Sequence, residues 1–585
     1  MSESLSGTIS SVHRQARNHW LRRVARRSPA MFITLLIVWT SALVWFGPRL
    51  VSVLDAANGP LSAFALLYFI VFIAVAWLYG MYNLSVVAFS IINRFLRTAP
   101  MEVGKDTTPV AVLYTTCNDF VEASALSCAN LDYANFNVYI LDDSSDETFK
   151  RAIDQFAGRH DNVQVVRRRQ RVGFKAGNLN HALKNVATEP LFVIADSDEI
   201  LPSNFLTRLV PRINGDPQCG FIQANHRCIA RGTKLQRDMS AGIDVHWKWY
   251  QPLRNRFGFV MFLGHGALLR RHCWNEVGGF PEVVSEDLAY AIAIRERGFY
   301  GKFAEDVVCF EEFPDTVRAF RVRHVKWTRG TCEFLHQYCL DLLRSRRISW
   351  GEKLDILFPT ANLPITLFFF MFMIVSAILL PVTIGETSTL TLEVWNRTVQ
   401  IPVMIMPAEM NALYTWDFFT LTVLAMISPV LCFVLEMWKT PVKLIKFLTH
   451  STALYATLAA LSTICIVGYA VTRQARFLVT GDKSDGQRKG SFWRDTHPDA
   501  AGVHRFEWLA AMIFAVGAIA SFQIALFGLA VGYALISAMN SRTWGETSLH
   551  ALVWVPFTLI MIGMTMGGMS LLGLQPVFFG FGFHF

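Results

Sequence analysis

The sequence predicts a multi-pass membrane protein in which an α/β domain with a mostly parallel sheet is inserted between transmembrane α-helices. Three observations carry that expectation. Hydrophobic residues make up 52% of the chain and mean hydropathy is +0.33, both above what a soluble enzyme carries. Apolar stretches close to the ~20 residues a helix needs to cross the hydrocarbon core stand on both sides of the middle of the chain. Between them, short β-branched runs alternate with helix-like segments bearing polar faces, the pattern of strands and crossover helices.

Residues 1–106 are expected to hold a cytosolic segment and two spans, near Ala30–Phe46 and Leu61–Tyr82. The first span lacks a small-residue cleavage site and is read as a retained signal anchor. Arg14, Arg17, Arg22, Arg23, Arg26 and Arg27 precede it, which places that flank inside under the positive-inside rule. Residues 107–343 form the α/β domain, with strands at VAVLYTT, NVYILDD, VQVVRR, LFVIADSD and FIQAN. In open sheets of this kind, ligands gather at the carboxyl ends of the strands. Residues 344–585 open with SWGEKLDILFPTANL, read as an interfacial amphipathic helix, followed by spans near Pro364–Ile384 and Phe418–Trp438. The connection Gly385–Asp417 contains one basic residue, Arg397, and is assigned outside. The apolar run Ala453–Val471 has basic clusters on both flanks, Lys439, Lys443 and Lys446 before it and Arg473, Arg476, Lys483, Arg488, Lys489 and Arg494 after it. Two cytoplasmic flanks put this run at the interface or in a re-entrant position. Spans near Trp508–Ser537 and Leu552–Leu572 complete six crossings with both termini inside.

A formal charge of +9 suits nucleic acid, an anionic leaflet or an anionic small substrate. Its placement at span flanks favours membrane lipids and argues against nucleic acid. The ten cysteines include no C-x-x-C pair, so neither a disulfide framework nor a zinc site is expected.

The chemistry-bearing residues cluster at strand ends. LDDSSDE places Asp142 and Asp143 after NVYI, and ADSDE places Asp196 and Asp198 after FVI. Carboxylates at i and i+2 project to one side of an extended strand and can offer hard oxygen ligands to a divalent ion. The alternative is that these aspartates cap the helices that follow. FKAGNLNHAL adds Lys175, the backbone near Gly177, and Asn178. A nucleoside diphosphate needs a cation for its charge, positive or amide donors for its oxygens, and acceptors for its base and ribose. These stretches together supply all three.

The order TTCND (Thr115–Asp119), LDD, KAGNLN, ADSD, SED (Ser285–Asp287) and RHVKW (Arg323–Trp327) resembles the membrane-embedded family 2 glycosyltransferases, the cellulose, curdlan and hyaluronan synthase group. The resemblance implies a GT-A fold, a UDP-sugar donor and a growing glycan acceptor. It assigns Thr115, Asp119, Asp142 and Asp143 to the nucleoside, with Lys175, Asn178 and Lys326 near the diphosphate. Asp198 with Asp196 would face Mg²⁺ or Mn²⁺. Asp287, beside Glu286, would be the general base of a single inverting displacement. FLGHGALLRR, with His265 where threonine is usual, resembles the acceptor segment, and Gln223 in FIQAN matches the glutamine of V-Q-T-P. Trp327 would stack on the acceptor sugar. RHVKW departs from Q-x-x-R-W at Arg323 and Lys326. Arg323 and the Gly264-His265 pair are similar to the osmoregulated periplasmic glucan synthases. FLVTGDK resembles the gating loop and assigns Phe477, Val479, Thr480 and Lys483 to it. The thirteen residues after the last span leave no room for the cyclic-di-GMP barrel of cellulose synthases. RRRQR (Arg167–Arg171) reads as a solvated basic edge near the donor site.

The expected activity is therefore processive synthesis of a β-glycan, a β-glucan from UDP-glucose, on the cytosolic face of a bacterial inner membrane. The product would pass through the chain's own spans toward periplasmic or outer-membrane export partners. Two other readings are transfer of one sugar to a lipid carrier, and a transporter whose α/β domain senses nucleotide.

Overall fold

The computed structural model describes residues 27–96, 106–229, 232–394, 397–405, 407–475, 497–521, 524–540 and 553–571. Its centre is an eight-stranded sheet in the order β3-β2-β1-β4-β7-β6-β8-β5. The strands are β1 Val110–Thr116, β2 Phe136–Asp142, β3 Val163–Val166, β4 Leu191–Asp196, β5 Glu199–Ile200, β6 Cys219–Cys228, β7 Ala267–Arg270 and β8 Tyr300–Glu311. Along β1 the side chains alternate between two cores. Val110, Val112 and Tyr114 pack on one face of the sheet, Ala111 and Leu113 on the other. That alternation is the period-two consequence of the pleat, and burial on both faces explains why the strand reads as a continuous apolar run.

The parallel reading holds from β3 through β4, whereas β7 enters antiparallel to both β4 and β6. The result is a mixed sheet of the GT-A type. Register then assembles the site. Thr115 stands opposite Asp196 and Thr116 opposite Asp142, so β1, β2 and β4 end at one level. Ala267 pairs with Ile194, so the antiparallel course of β7 delivers the preceding FLGHG loop to the same carboxyl edge.

Among the described residues, six helices are long and apolar enough to cross a membrane: Ala30–Ala56, Pro60–Phe95, Trp350–Ile384, Trp416–Met437, Pro441–Thr472 and Ala501–Ile519. Two sequence expectations change here. The interfacial helix and the span after it are one continuous run, Trp350–Ile384, with Pro359 and Pro364 inside it. The Thr360 hydroxyl donates to Ile356 O, and the Tyr79 hydroxyl donates to Phe358 O at 3.3 Å. Each proline removes only the amide to the carbonyl four residues before it, a loss that membrane helices tolerate without stopping. The expected single span Trp508–Ser537 is two helices, Ala501–Ser521 and Ile524–Asn540, folded back on each other. Phe514 stacks on Tyr533 at 5.8 Å and His504 Nδ1 lies 3.1 Å from Ser537 Oγ. Hydropathy does not separate the two helices because both are apolar.

The run Ala453–Val471 lies inside helix Pro441–Thr472. Its apolar window is 67% buried in protein, against 22–39% for the other candidates. It packs against helices Val317–Arg344 and Lys234–Val245 of the α/β domain as well as Trp350–Ile374. Just before the first candidate span, Arg27 ties that helix to the α/β domain by donating to the carbonyls of Arg254, Gly258 and Gly301 at 2.8–2.9 Å. All ten cysteines are free thiols.

Candidate active site

The ends of β1 and β4 are stitched together. Thr115 Oγ1 donates to Asp196 Oδ1 at 2.7 Å, and Asp119 accepts from Thr116 Oγ1 at 2.8 Å, from Cys117 N at 2.7 Å and from Ser197 Oγ at 2.9 Å. Lys175, in the first turn of helix Phe174–Asn185, reaches across to pair with Asp196 and also donates to Gly264 O at 3.1 Å. Burial works against the Asp196 carboxylate, but Lys175 and then His265 outweigh it and hold its pKa below the usual range. Asp198, accessible from the cleft, has the opposite fate. Desolvation and then neighbouring Asp196 push it up to about 7. Two hard oxygen donors at i and i+2, one of them destabilised as an anion, fit a divalent cation such as Mg²⁺ or Mn²⁺.

Asp287 stands at the start of helix Glu286–Glu296 and accepts from Leu288 N at 2.7 Å. Its carboxylate faces the Gly264 backbone, since a Cβ on Gly264 would lie 3.3 Å from Asp287 Oδ2. Burial raises the pKa of both Glu286 and Asp287, and Asp287 raises Glu286 further. A carboxylate with a raised pKa is suited to taking a proton. Lys175 feels Asp196, Glu286 and Asp287, and Lys326 feels Asp196, Glu286 and Asp198. The acids from β4 and from SED therefore share one cleft with two lysines.

His265 is held between Gly264 and Gly266, both at positive φ (+88° and +58°). Its imidazole lies 3.5 Å from Glu199 Oε2 and 3.7 Å from Glu311 Oε2. Burial alone would lower its pKa; Glu199 and Asp196 reverse that and lift it to about 10. Trp327 is 51% exposed. The Arg323 guanidinium covers part of it, 4.7 Å from the ring centroids of both Trp327 and Phe313.

Several expected contacts are already occupied. Asp142 is paired with Arg167 at 2.7 Å, and its side chain has no exposed surface. Asp143 is gripped by the Arg168 fork, Nε at 2.9 Å and Nη2 at 2.7 Å. Within the basic run, Arg167 and Arg168 thus fold back onto the LDD acids, whereas Arg169 and Arg171 stay exposed. Asn178 is buried and donates to Leu141 O at 3.2 Å. Gln223 is fully buried; it accepts from Leu263 N and donates to the carbonyls of His265 and Gly266. It shapes the FLGHG loop from behind, with no surface left for an acceptor. Phe477, Val479, Thr480 and Lys483 lie outside the described residues.

Sequence reasoning missed Arg168, Glu199, His226 and Glu311. Glu199 directly follows DSD, which was the available signal. Glu199, His226 and Cys309 bring potential ligand atoms within 4.8 Å of one another. However, Glu199 Oε1 and His226 Nε2 are 2.8 Å apart, a hydrogen-bond distance, and Glu199 Oε2 also accepts from Asp196 N at 3.4 Å. The group is a brace behind the Asp196 strand end.

Residues 116–330 match the family model described as "Glycosyltransferase like family 2". "Glucomannan 4-beta-mannosyltransferase 2" of Arabidopsis thaliana is 26% identical over 306 residues, 48% of this chain and 55% of that protein. "Probable glucomannan 4-beta-mannosyltransferase 7" of Oryza sativa subsp. japonica is 28% identical over 230 residues, 38% of this chain and 39% of that protein. The chain spans about half the length of the curated relatives it matches. Among solved structures, a mannosyltransferase from Pyrobaculum calidifontis in complex with GDP-Man and Mn²⁺ aligns at 19% identity and TM-score 0.41, covering 65% of this chain and 100% of that one. Over residues 116–330 the chain is thus similar to glycosyltransferase family 2, and in sequence to glucomannan mannosyltransferases, and this stretch is joined to helices apolar enough to span a membrane.

Proposed function

We propose that this chain is an inverting nucleotide-sugar-dependent β-glycosyltransferase that extends a β-glycan at the cytosolic face of a bacterial inner membrane and passes it across. The observation that carries this is the shared cleft in which Asp196, Asp198 and Lys175 meet Asp287 and Lys326. A donor site alone would bind nucleotide; a carboxylate of raised pKa on its acceptor side adds the means to react.

In this mechanism Lys175 and Lys326 neutralise the diphosphate as point charges. Asp196 and Asp198 would hold a divalent cation, which would supply stabilisation of charge on the departing diphosphate. Trp327, backed by Arg323, offers its exposed face to the acceptor sugar ring. Asp287 takes the proton from the acceptor hydroxyl as that oxygen forms its bond to the anomeric carbon. The bond from that carbon to the diphosphate oxygen breaks in the same step, so the leaving nucleotide carries the electron pair. One displacement inverts an α-linked donor into a β-linked product.

UDP-glucose is the donor expected from the family resemblance and the departure at Arg323. GDP-mannose is a second reading, favoured by the mannosyltransferase names of the relatives. The full-length protein, purified in detergent with Mg²⁺ or Mn²⁺, is offered each donor separately, and nucleotide release, product length and linkage are measured. Polymer from one donor supports the proposal. A single sugar on a lipid carrier replaces processivity with the carrier reading. Asp287→Asn should lower nucleotide release about 10²–10⁴-fold with donor binding retained; unchanged release would leave a nucleotide-sensing domain as the better account.

A further inference from the structure

The segment leading to Glu286 and Asp287 begins at Gly278 and runs between the helix of the donor side and the helix of the acceptor side. At its start, Asn180, on the same helix as Lys175, makes a reciprocal pair with Phe280. Phe280 N donates to Asn180 Oδ1 at 2.7 Å, and Asn180 Nδ2 donates to Phe280 O at 2.9 Å. Trp274 Nε1 also donates to Asn180 Oδ1, at 3.1 Å. At its end, Glu333 Oε2 accepts from Val284 N at 2.9 Å. Glu333 lies on helix Val317–Arg344, two turns beyond Lys326 and Trp327. Close approach of this helix depends on Gly330, where a Cβ would stand 2.8 Å from Val284 Cγ1 and 3.1 Å from Ser285 Oγ.

We propose that Asn180 and Glu333 are positioning residues that clamp segment Gly278–Ser285 at both ends and thereby set the position of the Asp287 carboxylate between the donor lysine and the acceptor tryptophan. This rests on Asp287 acting as the base. The first amides of a helix have no partner within it, so the helix start at Glu286 takes its placement from what precedes it. A base displaced by about 1 Å loses on the order of 10²-fold in rate. Because Glu333 and Trp327 share one rigid helix, the grip on the acceptor and the placement of the base move as one body.

The test uses full-length Asn180→Ala, Glu333→Ala and Glu333→Gln proteins, with two readouts. In hydrogen–deuterium exchange, the alanine variants should speed exchange across residues 278–288 at least tenfold while β1 and the TTCND turn keep wild-type protection. Glu333→Gln, whose amide oxygen still accepts from Val284 N, should stay near wild type. In steady-state kinetics, the alanine variants should lose at least tenfold in kcat with donor KM within twofold of wild type, and Glu333→Gln should recover most of that loss. Unchanged exchange, kcat and KM falling together, or failure of the glutamine to rescue would each overturn the clamp. If wild type transfers no sugar from any donor, the proposed function fails while the exchange readout still decides whether the clamp exists.

Discussion

Glu199→Gln is a sharp probe of the brace behind the site. Glu199 has no exposed surface. Its two oxygens contact His226 Nε2 at 2.8 Å, Asp196 N at 3.4 Å and His265 Nδ1 at 3.5 Å. Glutamine preserves the shape and removes the charge facing two imidazoles. Removing one partner of a buried charged pair costs about 3–5 kcal/mol. A second route gives a similar ceiling: His265 is lifted from 6.5 to about 10, and ~1.4 kcal/mol per pKa unit makes about 5 kcal/mol, shared among Glu199, Asp196 and Glu311. Both figures describe one interaction and are not summed. The sign follows from linkage. The raised His265 pKa stabilises the fold fully below pH 6.5, and that contribution fades as pH rises toward 10. Glu199, held below its usual 4.5 by His265 and His226 despite burial, contributes above pH 4.5 and loses that contribution in more acid solution. The stability advantage of wild type over the variant should therefore be largest between about pH 4.5 and 6.5 and shrink on either side. Denaturation midpoints of the detergent-purified proteins in chelator, measured from pH 4.5 to 9.5, provide the assay. Equal midpoints at pH 6, or a gap that widens toward pH 9, would refute the reasoning.

Gly177→Ala should weaken donor nucleotide binding more than tenfold by calorimetry, because a Cβ there would stand 2.0 Å from Val172 O and 2.7 Å from Arg168 Nη1, displacing the arginine that grips Asp143. Trp327→Ala should reduce acceptor kcat/KM by about 3–10-fold, leaving nucleotide affinity unchanged in the same calorimeter. Arg321 and Glu507 form an ion pair with no exposed side-chain surface on either partner. Arg321→Met should destabilise by about 3–5 kcal/mol, and Arg321→Met with Glu507→Leu should recover most of that loss in thermal midpoint.

Much of the site was legible before folding because its signals are local. A run such as LFVIAD followed by SD declares both a buried strand and a charged end, whatever the rest of the chain does. Lys175 and Asp196 could be named, and register brought them together. By contrast, Asp142, Asp143 and Gln223 were legible as residues but not as contacts. Arg168 lies 25 residues from Asp143, and only packing of the turn before helix Phe174–Asn185 shows that it occupies that carboxylate. Gln223 looks like a ligand in one dimension, and its complete burial makes it a bracket in three.

By itself, the sequence determined the membrane class, the strand ends that carry acids, and the order of chemistry along the chain. These follow from hydropathy and from periods of two and 3.6 residues, which each segment expresses alone. Tertiary structure decided the antiparallel entry of β7 that brings His265 beside Asp196, the packing of helix Ala501–Ser521 on helix Ile524–Asn540, and the two-sided hold on the segment before Asp287. Each of these joins residues far apart in the chain, and non-local pairing is set by register and packing that no local pattern encodes.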